Sequence, residues 1–225
     1  MIRNNLYRLA IAISILALAA CAPAIPVTGS TASPALTAAP RTASSTDTNP
    51  TASTGAGTAS NLACGGGASS ASVTPSLTEG PYYKAGSPEQ ADLYQDGMPG
   101  TKLVVTGYVY DTNCKPVANA WLDFWQADAN GNYDNQGYTL RGHQFTDASG
   151  RFQLTTVVPG LYPGRTEHIH VKVQAPNGQV ITSQLFFPGV TQNDADGIYN
   201  AGLLLSITQT SDGPQGQYNF VVPAS

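Results

Sequence analysis

Charge is what this 225-residue chain has least of. It carries 10 Lys and Arg and 14 Asp and Glu, 11% in all, against roughly a quarter in an ordinary soluble domain. With a net charge of −4 it lacks the basic surface that nucleic-acid binding needs, and that class is excluded. Aromatic residues are missing from a long stretch: after Tyr7 the next is Tyr82. A span without aromatics builds little core, so the chain reads as a tail followed by one domain. No apolar run reaches the ~20 residues of a spanning helix. The 3 cysteines show no CxxC or zinc-ribbon spacing, which argues against a cysteine metal site. Arg3, Arg8, Arg41 and Asp47 are the only charges before Glu79, and setting them aside leaves 7 basic and 13 acidic residues, a net −6 for the globular part.

The first residues read as an address. Met1 to Arg8 is short and positive, and Leu9 to Ala20 is apolar but too short to span a bilayer. Leu18-Ala19-Ala20-Cys21 resembles the lipobox of bacterial lipoproteins. That resemblance implies a signal peptide over residues 1–20 and a diacylglycerol on the sulfur of Cys21. The protein would then be exported to the cell envelope and anchored to a bacterial membrane by lipid only. The competing reading, an ordinary signal peptide cut nearby, also exports the protein. Residues 21–72 are mostly Ala, Thr, Ser, Pro and Gly without periodicity, and are expected to form a disordered tether. Cys64 and Cys114 then remain as an even pair in an exported protein, suited either to a disulfide pinning the tether to the domain or to two free thiols.

Residues 73–225 read as strands and turns. Apolar, β-branched or aromatic runs occur at Lys102–Tyr110, Ala120–Gln126, Arg151–Val158, His168–Ala175, Gln179–Phe187, Gly202–Thr208 and Gln217–Val222. Turn clusters separate them, Asp212-Gly213-Pro214 among them, and only Ser87–Leu93 suggests a helical turn. About seven strands predict an all-β, antiparallel β-sandwich. Around Pro176-Asn177-Gly178 a two-residue loop would put Pro176 where the ladder needs an N–H. A three-residue loop, with a type I turn and Gly178 left-handed, sets His170 opposite Gln184. It groups Ile169, Val171 and Val173 with Ile181, Ser183 and Leu185 on one face.

Alternation puts His168 and His170 together on the other face, roughly 7 Å apart at their Cβ atoms. An HxH pair alone is a weak metal signal. Two tyrosines strengthen it: Tyr133 follows the Asp128–Asn132 loop, and Tyr162 sits in Pro159–Arg165, six residues before His168. His143 lies outside this pattern and reads as a solvated histidine. Trp121 and Trp125 alternate with Leu122 and Phe124, so one pair faces the core and the other lies under loops.

The ordered set Thr78-Glu79-Gly80-Pro81-Tyr82-Tyr83, Trp125-Gln126-Ala127-Asp128 with Gly131-Asn132-Tyr133, Leu140-Arg141-Gly142, Thr146-Asp147 with Gly150, and Arg165-Thr166-Glu167-His168-Ile169-His170 resembles the intradiol ring-cleavage dioxygenases. That family includes protocatechuate 3,4-dioxygenase and catechol 1,2-dioxygenase. The resemblance implies a non-haem Fe(III) held by Tyr133, Tyr162, His168 and His170, with O₂ and a catechol-type ring as substrates and a muconate-type diacid as product. It further implies that Tyr162 leaves the metal to act as base, that Arg165 stabilises developing negative charge, and that Gln184 supports Arg165. Tyr82 or Tyr83 would line the substrate cavity. Hard phenolate donors favouring Fe(III) suit this assignment. Two departures stand out. The stretch from Tyr162 to His168 is shorter than in the catabolic enzymes, and the tether occupies the place of the helical dimerisation segment, leaving the oligomeric state open.

Two other classes compete. Transthyretin-like and carboxypeptidase-regulatory sandwiches, non-catalytic binding modules, share the Gly-Tyr-Val-Tyr-Asp strand and the Thr-Asp-x-x-Gly-Arg-Phe turn, but give Tyr133, His168 and His170 no joint purpose. Arg165 would then be a surface cation pairing with Glu167. A zinc hydrolase would want a third histidine or a carboxylate beside the HxH and has no use for two tyrosines.

Overall fold

The computed structural model describes residues 62–223. The predicted signal peptide, Cys21 and the tether up to residue 61 lie outside the described residues. The last part of the expected tether, 62–72, is held against the domain rather than free. Cys64 is disulfide-bonded to Cys114, Asn219 Nδ2 donates to the Ala63 carbonyl at 2.9 Å, and Ala71 N donates to Thr112 O at 3.1 Å.

Nine strands occur among the described residues: β1 (Lys102–Asp111), β2 (Trp121–Gln126), β3 (Arg141–Phe145), β4 (Arg151–Val157), β5 (His168–Gln174), β6 (Val180–Phe186), β7 (Ser206–Thr210), β8 (Gly213–Gln217) and β9 (Phe220–Val222). One sheet runs β4-β1-β8-β7 with β9 also on β1, and the other runs β3-β2-β5-β6. They form the predicted sandwich. Leu103, Val105, Phe152 and Leu154 of one sheet face Leu122, Phe124, Ile169, Val171, Val173 and Leu185 of the other, all almost fully buried. Burying one such Leu or Phe side chain contributes about 2 kcal/mol.

Several local expectations change. The sheet containing β1 is mixed, because β8 and β9 both pair parallel to β1. The chain leaves β1 for the other sheet, returns at β4 to pair antiparallel with β1, crosses again through β5 and β6, and comes back for β7, β8 and β9. β3, in the polar run after Leu140, carries no alternation that would mark it. Gly213 and Pro214 begin β8 instead of ending a turn, and Ala201–Leu203 is a 3₁₀ turn ahead of β7. Ser87–Leu93 is extended: Gln90 N donates to His143 O and Leu93 N to Thr155 O. Its backbone groups thereby cap the otherwise open edges of β3 and β4.

The β5–β6 hairpin has the three-residue register, with Gln174 opposite Val180 and His170 opposite Gln184. Its turn differs from the prediction. Gly178 N donates to Ala175 O at 2.9 Å and Asn177, not Gly178, takes the positive φ of 60°. A left-handed second central residue after proline is the type II pattern, which asparagine tolerates.

Candidate metal centre

The register sets a row of side chains across the outer face of the β3-β2-β5-β6 sheet: Arg141 opposite Trp125, Trp125 opposite His170, His170 opposite Gln184. His168 lies on the same face of β5, and the two imidazoles converge with their Nε2 atoms 3.1 Å apart. Trp125 stacks on His170 with ring centroids 4.7 Å apart and planes at 6°.

Two loops bring the tyrosines over this row. The Asp128 carboxylate accepts from Asn130 N and Asn132 N, and Gly131 N donates to the Asp128 carbonyl. That knot delivers Tyr133, whose Oη stands 3.3 Å from His168 Nε2. Tyr162-Pro163-Gly164-Arg165 is a tight turn closed by Arg165 N to Tyr162 O, with Gly164 at φ 80°. Proline then glycine at the central positions is the type II preference, and it places Tyr162 and Arg165 side by side. The rings of Tyr133 and Tyr162 meet edge to face at 6.1 Å. Tyr82 packs between the loops, stacked on Tyr133 at 4.4 Å, with its Oη 3.3 Å from that of Tyr162.

Burial sets the protonation states. It brings the His168 imidazole down to about 4 and His170 well below its ordinary value, so both are neutral. It pushes the Tyr133 phenol far up, against the pull of the Arg165 and Arg141 guanidiniums. The His168 Nδ1 meets the Thr166 carbonyl at 2.6 Å, which fixes the proton there and aims the Nε2 lone pair into the cluster. Two neutral imidazoles and two phenols fit a ferric ion. Donors each about 2.1 Å from one ion and at right angles stand about 3 Å apart, the spacing seen between the two Nε2 atoms. A buried phenol that resists ionising alone becomes a phenolate beside a trivalent cation. Among the described residues no group of three or more His, Cys, Asp or Glu could hold a metal, so the donor set of a zinc hydrolase is absent there.

The family profile described as Dioxygenase (Dioxygenase_C) matches residues 78–222. The chain belongs to the intradiol dioxygenase family. Among its curated relatives, catechol 1,2-dioxygenase 2 of Acinetobacter lwoffii is 33% identical over 142 residues, 52% of either chain. The protocatechuate 3,4-dioxygenase beta chain of Burkholderia cepacia is 34% identical over 114 residues, 42% of this chain and 48% of the relative. The chain thus spans about half the length of the curated relatives it matches. Among solved structures, the dioxygenase domain of a dioxygenase carbohydrate-binding fusion from Streptomyces sp. SirexAA-E is 48% identical with a TM-score of 0.67, covering 68% of this chain and all of that one. 3-Chlorocatechol 1,2-dioxygenase of Rhodococcus opacus 1CP gives 29% and 0.63, covering 68% and 73%.

In this dioxygenase fold the remaining residues divide. Arg165 does not pair with Glu167: its Nε bonds the Asp196 carboxylate at 2.9 Å and its Nη2 bonds Gln184 Oε1. Gln184 Nε2 in turn donates to Thr78 O at 3.0 Å. Tyr82 joins the donor cluster, whereas Tyr83 turns away to Asp123 Oδ2 at 3.1 Å and packs on Trp125. His143 is half-buried, its Nδ1 2.8 Å from the Ser87 carbonyl beneath the 87–93 segment. Sequence reasoning missed Asp196 and Arg141. The first follows β6 in Asp194-Ala195-Asp196-Gly197, which by pattern is only a turn. Arg141 is fully buried under the Tyr133 ring, its Nη1 donating to Tyr82 O at 2.6 Å and its Nε to Asp134 O at 3.0 Å. A lone arginine in a polar strand gives no sign of that.

Proposed function

We propose that this chain is a non-haem Fe(III) dioxygenase that cleaves a catechol-type ring between its two hydroxylated carbons. One oxygen atom of O₂ ends in each carboxyl of a muconate-type diacid, and no external reductant is needed. The observation that carries this reading is the convergence of the His168 and His170 Nε2 atoms with the Tyr133 phenol, beside which the Tyr162 ring packs edge to face on that of Tyr133. Those four residues would hold the iron, which when bound takes both catechol oxygens and draws electron density from the ring so that it reacts with O₂.

The chain's own groups do the rest. His168 and His170 stay neutral donors because burial disfavours their charged forms. Tyr162, half-buried on its turn, would as a phenolate accept a substrate proton at its oxygen, to which Tyr82 Oη donates a hydrogen bond at 3.3 Å. Arg165, clamped by Asp196 and Gln184, presents a fixed positive group to charge that develops during cleavage, a preorganised electrostatic role. The relatives named above act, by their names, on catechol, protocatechuate and 3-chlorocatechol, whose shared chemistry is two adjacent ring hydroxyls.

The test is turnover of catechol by the iron-loaded protein under ¹⁸O₂ with mass spectrometry of the product. The reading expects a diacid carrying two labelled atoms, one per carboxyl. A ring-opened aldehyde, or no O₂ uptake with any catechol, would overturn it.

We further infer that the protein is exported and lipid-anchored through Cys21. The Leu18–Cys21 run supports this, as does the Cys64–Cys114 disulfide, which suits an oxidising compartment. Cys21→Ala should release the protein from membranes; retention there would sink the anchor.

A further inference from the structure

Resting on the ring-cleavage reading, we infer that Arg141 is a positioning residue of the metal centre whose buried charge sets how strongly Tyr133 donates electrons to the iron. Arg141 is 1% exposed. A strained turn delivers it: Leu140, 2% exposed, takes a φ of 55°, a left-handed conformation that is unfavourable for a bulky residue and persists only where its surroundings enforce it. Arg141 N donates to Tyr138 O at 3.2 Å, and Leu140 O accepts from Gln126 N at 3.3 Å. From this turn the side chain ties together the two segments that carry the ring pair. Its Nη1 donates to Tyr82 O at 2.6 Å and its Nε to Asp134 O at 3.0 Å. Tyr82 is the ring stacked on Tyr133, and Asp134 is the next residue in the chain.

A guanidinium stays protonated in a protein, so a full positive charge is buried here, and burying a charge is costly unless an opposite charge meets it. Among the described residues the ion pairs are Arg165 with Asp196 and Lys172 with Glu79, and Arg141 makes none. The carboxylates that act on it are engaged elsewhere. Asp134 accepts from the Gln136, Gly137 and Thr139 amides, and Asp123 from the Tyr83 and Ser87 hydroxyls. Both hydrogen-bond partners of Arg141 are neutral carbonyls, and its buried Nη2 has no partner among the described residues. What lies against the guanidinium is the Tyr133 ring, its centroid 5.9 Å from Cζ. As an iron ligand that ring is a phenolate, and it supplies the opposite charge. The attraction acts on both partners: it offsets the burial of Arg141, and it holds electron density on Tyr133 that would otherwise pass to an ion at the oxygen end of the ring. Arg165, the other guanidinium near the site, has its carboxylate in Asp196.

The test compares the iron-loaded full chain with Arg141→Lys, Arg141→Gln and Arg141→Met, read by the visible tyrosinate-to-iron absorption band and by the iron retained after dialysis. One charge 5.9 Å away, at an effective dielectric constant of about 20, moves a mid-visible band by about 20 nm. Arg141→Gln and Arg141→Met should absorb at longer wavelength by about that amount, because Tyr133 gives up an electron more readily without the charge. Arg141→Lys keeps the charge and should hold the wild-type band, while its weaker hold on the two carbonyls lets iron go faster. A merely structural role would leave the band of every iron-retaining variant in place, or move it in Arg141→Lys as in Arg141→Gln, and either result would overturn the proposal. Should the neutral variants fail to fold, Arg141→Lys still decides: a band at the wild-type position supports the charge role, and one displaced by about 20 nm overturns it. A wild type that stays colourless at full iron loading would overturn the ring-cleavage reading and this inference with it. A red wild type with an unshifted Arg141→Gln overturns this inference alone.

Discussion

The loops that carry Tyr133 and Tyr162 touch backbone to backbone, and a single methyl group tests whether that contact sets the site. A Cβ on Gly131 would fall 2.0 Å from the Leu161 carbonyl oxygen, and one on Gly160 would fall 2.4 Å from the Ala129 oxygen. Real Cβ contacts essentially never come below 3.0 Å, so Gly131→Ala must drive the loops apart by about 1 Å. The residue also sits at φ 81°, which costs a non-glycine residue about 1–2 kcal/mol. A displacement of about 1 Å in a positioned catalytic group costs about 100-fold in rate. Gly131→Ala should therefore keep the sandwich, lose a few degrees of Tm, lower kcat/KM for catechol about 100-fold and weaken the iron–tyrosinate absorption. Gly189→Ala is the control: its φ is 76°, but nothing lies within 4 Å of an added Cβ, so it carries the backbone cost alone and should stay active. Steady-state kinetics, iron content and visible spectra on the three proteins decide the matter. A Gly131→Ala protein with wild-type activity and full colour would refute the reasoning.

Other consequences are as direct. Trp125→Leu removes the ring stacked on His170 from a fully buried position; it should cost about 3 kcal/mol and lower iron retention, measured by urea melts and by metal content after dialysis. The Cys64–Cys114 bond closes a loop of 50 residues, worth about 4 kcal/mol by loop entropy. Reductant, or Cys114→Ser, should thus lower Tm by about 10 °C, and an unchanged melting curve would count against the bond. In the iron-free protein His168 has a folded pKa of about 4 against 6.5 when exposed. Between those values the unfolded chain binds a proton that the folded one refuses. Stability should therefore fall as pH drops from 6.5 to about 4, by about 3 kcal/mol from this group, with His170 acting in the same direction. A urea midpoint that stays flat across this window would contradict the burial of neutral imidazoles.

What could be read beforehand follows from how local each feature is. The His168–His170 face and the pairing of His170 with Gln184 came from strand alternation plus one proline argument, both properties of adjacent residues. The wrong turn type in the same hairpin was harmless, because register depends on loop length and not on which residue turns left-handed. β3 escaped because it runs between β2 and the 87–93 segment with polar Arg141 and Gln144 buried and apolar Phe145 exposed, so its residues show no period-two pattern. The parallel pairing of β8 and β9 on β1 is set by a return across roughly a hundred residues, which no local signal encodes. The roles of Asp196 and Arg141 were not legible for the same reason, although Arg141 stands in the resemblance: they exist only through partners at Arg165 and Tyr82, 31 and 59 positions away. The four-donor set itself was legible mainly through its resemblance to known enzymes.

The central claim is that Tyr133, Tyr162, His168 and His170 together bind ferric iron, and the visible spectrum of the purified protein loaded with one equivalent of Fe(III) tests it most directly. The account predicts a red protein with a broad tyrosinate-to-iron charge-transfer band. A protein that stays colourless at full iron loading would contradict it.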